Sequence, residues 1–99
     1  MNNISILTPA DLPRAFVIEQ ASHAFPWTEN TLASNQGERY LNLKIMQGEV
    51  MAGFAITQIV LDEATLFNIA IDPAFQRQGL GRILLEEVIQ QLEQKDVFT

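Results

Sequence analysis

Seven consecutive residues, Gln76-Arg-Gln-Gly-Leu-Gly-Arg82, combine the types that hold an anion. Gly79 and Gly81 let a ligand reach bare main chain, and Arg77 and Arg82 bracket them with positive charge. The flanks decide what such a segment does. Upstream, Ala64–Ile71 is rich in β-formers, and Asp72-Pro73 stops it because proline cannot donate to a ladder. Downstream, Leu80, Leu84, Val88 and Leu92 recur every four residues, with Ile83 and Ile89 widening the stripe; Glu86, Glu87, Gln90, Gln91 and Glu93 take the wet side. A strand that turns through glycines into a helix leaves the first helical amides unpaired at the positive end of the dipole. Cations there oppose the dipole, at a cost of up to ~1 kcal/mol, unless a polyanion lies between them. The plainer reading is an ordinary turn with two solvated arginines.

The elements that must position this loop are legible in order. Asn3–Leu7 reads as a short strand. Thr8-Pro-Ala-Asp11 leads into a helix with Asp11 as N-cap and Pro13 in its first turn, running to about Ser22, with Leu12, Ala15 and Phe16 on one side. Pro26 breaks the chain. Thr28 then caps a second helix, with Trp27 and Leu32 placed as a hydrophobic staple, and Gly37 ends it. Phe25 and Trp27 read first as staple and core, second as an aromatic wall beside an acceptor site; His23 reads as a loop residue. Arg39–Gln47 alternates, Leu41, Leu43 and Ile45 facing one way and Tyr40, Asn42, Lys44 and Met46 the other. Gln47-Gly48 marks a tight turn into a strand over Val50–Leu61, where Gly53 marks a bulge or a close backbone approach. Asp62-Glu63 reads as the next turn. The expectation is one mixed α/β (α+β) domain over 1–99: strand, two helices, an antiparallel three-strand meander, then the glycine-loop helix.

Composition removes other classes. A net charge of −6 argues against nucleic-acid binding, which needs a basic face, and makes Arg77 and Arg82 two of only six cations. No cysteine and a single histidine leave no disulfide, thiolate chemistry or multi-histidine metal site. The longest apolar runs fall short of the ~20 residues that span a bilayer, and no signal peptide is visible, so a cytoplasmic protein with no membrane partner is expected. The loop is neither a P-loop, since Gly81 is followed by Arg82-Ile83, nor a dinucleotide fingerprint, since Leu84 stands at the third glycine.

What remains, Gln-x-x-Gly-x-Gly after Phe67-Asn-Ile-Ala-Ile-Asp-Pro73, resembles the coenzyme A motif of the GNAT N-acetyltransferase superfamily. Phe25-Pro-Trp27, Asn35–Asn42 and Asp62–Ala70 are similar to its RimI-type branch, which acetylates the N-terminal alanine of a ribosomal protein. The resemblance covers essentially the whole chain. It implies acetyl-CoA as co-substrate and a ribosomal protein N-terminal peptide as partner. Cofactor-binding residues are then Ile69, Ala70, Ile71, Arg77, Gln78, Gly79, Leu80, Gly81 and Arg82. The loop amides hold the pyrophosphate, and the backbones of Ile69 and Ile71 meet the pantetheine arm. Family members run longer, so this chain resembles a domain incomplete at its C-terminus. The family's base glutamate and acid tyrosine are then expected beyond Thr99. Tyr40 is the single tyrosine here. Some relatives carry a glutamate in the motif strand where Thr65 stands, which leaves Glu63 as a weak base candidate, otherwise a turn carboxylate. Self-association through an unpaired strand edge is expected, and the alternative function is a non-catalytic coenzyme A-binding or interaction module.

Overall fold

The computed structural model describes residues 2–95. Four strands, β1 (Asn2–Ile6), β2 (Tyr40–Gln47), β3 (Val50–Val60) and β4 (Glu63–Ile71), form one antiparallel sheet in chain order. Helices α1 (Leu12–Ser22) and α2 (Glu29–Ser34) cover one face; α3 (Leu80–Gln94) lies on the other. Strand β4 has β3 as its one neighbour among the described residues.

The alternation of β2 explains the three layers. Leu41, Leu43 and Ile45 are buried against Leu80, Leu84, Val88 and Leu92 of α3. The other face of β2 carries polar groups and is covered as well, because each one finds a partner. Asn42 donates to the Asn35 carbonyl (2.8 Å) and accepts from the Thr57 amide (3.2 Å), and Lys44 pairs with Asp11 at 2.8 Å. Phe54, Ile56 and Ala70 pack there with Ala15 and Ile18 of α1 and Leu32 of α2.

Two bulges bend the sheet. Opposite Ile45–Met46 the partner runs from Gly53 to Met51, so Ala52 is the extra residue. A Cβ at Gly53 would lie 2.6 Å from the Ala70 carbonyl oxygen, so the glycine serves both the bulge and a close approach of β3 to β4. The second bulge places Phe67 as an extra residue in β4, between Leu66 and Asn68.

Several expectations need correcting. Asp11 stands at the N-cap of α1 with Pro13 in the first turn, as read, but its carboxylate makes no cap bond to the helix: it accepts from the Thr8 amide (2.8 Å) and hydroxyl (3.0 Å), closing a 3₁₀ turn over Pro9–Asp11. Helix α2 ends at Ser34, well before Gly37, whose φ of +122° belongs to the turn into β2. Leu61 is a turn residue at φ +56°, and Glu63 already pairs with Val60, because a two-residue hairpin loop requires a left-handed centre. Phe25 is 94% exposed, so it is no core residue; Trp27 packs on the core that holds Leu32, as a staple does. Ile83 and Ile89 are 40% and 44% exposed, so the buried stripe of α3 is narrower than its apolar pattern. Residues 96–99, where the chain was expected to leave the helix, lie outside the described residues.

Candidate functional site

The last residues of β4, a 3₁₀ turn over Pro73–Phe75 and the 76–79 loop carry the chain from the sheet into α3. Asp72 starts the turn: its carboxylate accepts from the Ala74 amide (2.9 Å) and pairs with Arg14 of α1 at 2.6 Å. The Ala74 amide first, then Arg14, hold the Asp72 carboxyl below its usual range, against the opposing effect of burial. Arg14 also donates to the Met51 carbonyl, so it fastens α1 to both β3 and the start of the loop.

The loop then takes a conformation with a cost. Arg77 sits at φ +68° and Gly79 at φ +76°. Glycine adopts that region freely, whereas an arginine there is strained, and strain of this kind collects at ligand clamps. Gly79 is the N-cap of α3 and offers no side chain to the helix. The Ile83 amide is the first to close on the helix, onto the Gly79 carbonyl at 3.1 Å. The amides of Leu80, Gly81 and Arg82 precede it in the unpaired first turn. A Cβ at Gly79 would meet nothing within 4 Å, so the space beside the N-cap residue is open.

That space is a cavity of about 360 Å³ between β4, the loop and the C-terminal end of α1. The structure brings Ile69, Ala70, Ile71, Arg77, Gly79, Leu80 and Gly81 together around it. The Asp72 amide donates to Ala52 of β3 (2.8 Å). By alternation Ala70 also faces β3, whereas the backbones of Ile69 and Ile71 turn to the open edge. The Ile71 carbonyl is partly engaged there, accepting from Gln76 Nε2 (3.1 Å) and Ser22 Oγ (3.2 Å). Gln78 and Arg82 stand off the cavity wall. Gln78 accepts from Gln47 at 2.7 Å, and Arg82 pairs with Glu86 at 2.9 Å on the exposed side of α3. Arg77 has no ion pair among the described residues, so its charge is the one available to the cavity.

Glu63 lies elsewhere. It is the exposed first residue of β4, six positions from Ile69, or about 20 Å along a strand. Sequence reasoning missed Glu19 of α1 and its partner Asn68 of β4; His23, read as a loop residue, is the extended C-cap of α1. Glu19 is 1% exposed, and its carboxylate accepts from the Trp27 amide (2.9 Å) and the Asn68 side-chain amide (2.7 Å). Asn68 in turn bonds His23 Nε2 at 3.0 Å. The signal was present: Glu19 follows Ala15 by four residues, so a carboxylate falls on the buried face of α1, and His23 follows four residues later at the helix end. His23 walls the 360 Å³ cavity on one side and, on the other, a cleft of about 340 Å³ shared with Phe25, Trp27 and Phe67. Among the described residues no cluster of carboxylates and histidine is placed to hold a metal ion, and no helix is long and apolar enough to cross a membrane.

The sequence profile of the acetyltransferase (GNAT) family matches residues 6–99. The chain belongs to that family. It is 66% identical over all 99 residues to the [ribosomal protein bS18]-alanine N-acetyltransferase of Salmonella typhimurium, and spans 67% of that relative's length. The fold matches the crystal structure of the ribosomal-protein-S18-alanine N-acetyltransferase from Escherichia coli with a TM-score of 0.96 at 66% identity. The match covers 98% of this chain and 63% of the crystallised one. At 16% identity the same GNAT fold recurs, with a TM-score of 0.84, in the PaiA N-acetyltransferase of Thermoplasma acidophilum. That structure was solved in complex with coenzyme A, and the match covers 98% of this chain and 75% of the other.

Proposed function

We propose that this chain carries the acetyl-CoA-binding part of an enzyme that acetylates the N-terminal alanine amine of a ribosomal protein. The observation that carries the reading is the strained, uncapped loop: a left-handed arginine and glycine frame open space beside the uncapped helix end. The strain costs about 1 kcal/mol or more and has a use if an anion occupies that space. The names borne by the relatives support the choice of acceptor.

The residues fit the co-substrate part by part. The amides of 80–82 and the guanidinium of Arg77 suit a pyrophosphate. The edge-facing backbone of Ile69 and the Ile71 amide suit an extended amide-bearing arm, received as a strand receives a neighbour. Acetyl-CoA supplies an acetyl group activated as a thioester. An edge N–H of β4 would steady the oxyanion that forms on its carbonyl. The cleft beyond His23 is walled by Phe25, Trp27 and Phe67, which suits the start of a peptide whose first side chain is small and apolar. Such an acceptor places the reaction in the cytoplasm.

Glu63 is not needed in this arrangement, because the cleft has its own polar groups nearer the loop. A second copy of this chain is the proposed partner of the other end of the β4 edge, which has no strand beside it among the described residues and runs next to the apolar groove of Leu66, Leu85 and Ile89. Two experiments test the function. Calorimetry should find one coenzyme A site, and mass spectrometry should find acetyl on the α-amine of an alanine-starting peptide. Binding without transfer would leave a coenzyme A-binding module. Transfer confined to lysine side chains would move the chain to another acceptor class.

A further inference from the structure

We infer that the buried carboxylate of Glu19, acting through Asn68, sets the register in which β4 leaves its bulge, and so decides which backbone groups face the loop cavity. The consequence for coenzyme A rests on the acetyl-transfer reading above; the register does not.

Strand β4 changes phase part-way along. Val60 and Glu63 close the hairpin as a bonded pair, so Glu63 and, by alternation, Thr65 turn their backbone groups to β3. The Asp72 amide donates to Ala52, so Ala70 and Asn68 face β3 as well. Thr65 and Asn68 are three residues apart, an odd step that a regular strand cannot make between two such positions. Leu66 and Phe67 together oppose Thr57, and the extra residue absorbs the step. Were the bulge to close, everything past Leu66 would slip by one. Ile69 and Ile71 would then bond to β3, Asn68 and Ala70 would turn to the open edge, and every side chain would change face.

Apolar burial separates these two registers weakly. Both faces of β4 are covered: Ile69 and Ile71 pack with the α3 core, and Ala70 with the α1 core. In Leu66-Phe-Asn-Ile-Ala-Ile71 the one polar side chain is Asn68. It is 9% exposed; its NH₂ donates to Glu19 Oε1 (2.7 Å), and its oxygen accepts from His23 Nε2 (3.0 Å). Glu19 is 1% exposed, and among the described residues no lysine or arginine pairs with it. A slip would take the Asn68 donor away from this carboxylate and carry a bare amide into the apolar core under α3. A buried charge that loses a donor keeps its desolvation cost, so the observed register is the one both polar groups require. The other oxygen of Glu19 accepts from the Trp27 amide (2.9 Å). One carboxylate thus fastens the strand that faces the loop cavity and the segment that walls the aromatic cleft. Glu19 and Asn68 are positioning residues: they act through the backbone of Ile69 and Ile71.

Amide hydrogen exchange reads the register in the free chain. Ile69 and Ile71 should exchange fast, and Asn68 and Ala70 slowly. Asn68→Asp sets two buried carboxylates face to face. It should invert that pattern, and coenzyme A affinity should fall about tenfold or more. Adding Glu19→Gln to Asn68→Asp returns a donor between the two side chains. Pattern and affinity should both recover, a rescue that lost packing alone would not give. In a folded Asn68→Asp chain, either the original pattern or uniformly fast exchange across β4 overturns the inference, as does a double variant that stays inverted. If Asn68→Asp alone does not fold, the double variant decides: folded with the original pattern it supports the inference, and unfolded it overturns it. Coenzyme A separates the two readings. An unaltered chain with the expected exchange pattern and no coenzyme A affinity loses the acetyl-transfer reading and keeps the register assignment.

Discussion

Among the described residues, two without glycine's freedom sit in the left-handed region, Leu61 at the tip of the β3–β4 hairpin and Arg77 in the loop before α3. Their backbones are alike and their causes differ. Leu61 is 93% exposed and turned left-handed because two residues must reverse the chain between Val60 and Glu63. Nothing depends on its side chain. Arg77 lies where the chain has more length, between a capped 3₁₀ turn and Gly79, and its conformation opens a cavity at a helix end. Backbone strain alone therefore does not mark a site; strain that uncovers unpaired amides beside an unpaired cation does.

The largest test of this contrast is at Gly79. Gly79→Val puts a β-branched residue at φ +76° in the wall of the loop cavity. Coenzyme A affinity should fall at least 100-fold, with about 1–2 kcal/mol of stability lost. Calorimetry and urea denaturation read the two effects. Next is Arg77→Gly, which relieves the strain and removes the guanidinium. Stability should rise by about 0.5–1 kcal/mol while affinity falls about tenfold or more, opposite signs that a merely structural turn would not give.

Acid should act on the same side of the molecule. Asp72 is held below its usual range by the Ala74 amide and Arg14. Asp11 is also lowered: burial opposes this, but Lys44 and Thr8 outweigh it. Groups with depressed folded values contribute stability that is present above 3.8 and lost as pH falls through the lower folded values. Melting temperature should drop between about pH 5 and pH 2, less steeply in Arg14→Ala and Lys44→Ala. The smallest effect belongs to Leu61→Asn, which should stabilise by about 0.5 kcal/mol and leave coenzyme A affinity unchanged.

Much of this was legible in the sequence because it rests on period and punctuation. The i, i+4 stripe of Leu80, Leu84, Val88 and Leu92, the alternation of β2, the cap at Thr28 and the bulge at Gly53 all follow from local rules. The loop motif and its two arginines were visible too, but not their division of labour: Arg82 has Glu86 one turn on and takes it, while Arg77 does not. What was not legible depends on long-range pairing. Asp11 stands at the N-cap of α1, but its carboxylate turns to Lys44 across the fold, and the Glu19–Asn68–His23 chain needs β4 to bring Asn68 beside α1. The exposure of Phe25 could not be read from its type, because Pro26 and the Trp27–Glu19 bond turn it away from the core.

The central claim is that the backbone around Arg77 and Gly79 receives coenzyme A, and the most direct measurement is a ¹H–¹⁵N amide map of the chain titrated with it. The account predicts saturable shifts at Ile69, Ile71 and residues 77–82, with the hairpin tip at Leu61 unmoved. No saturable shifts, or shifts centred away from that loop, would contradict it.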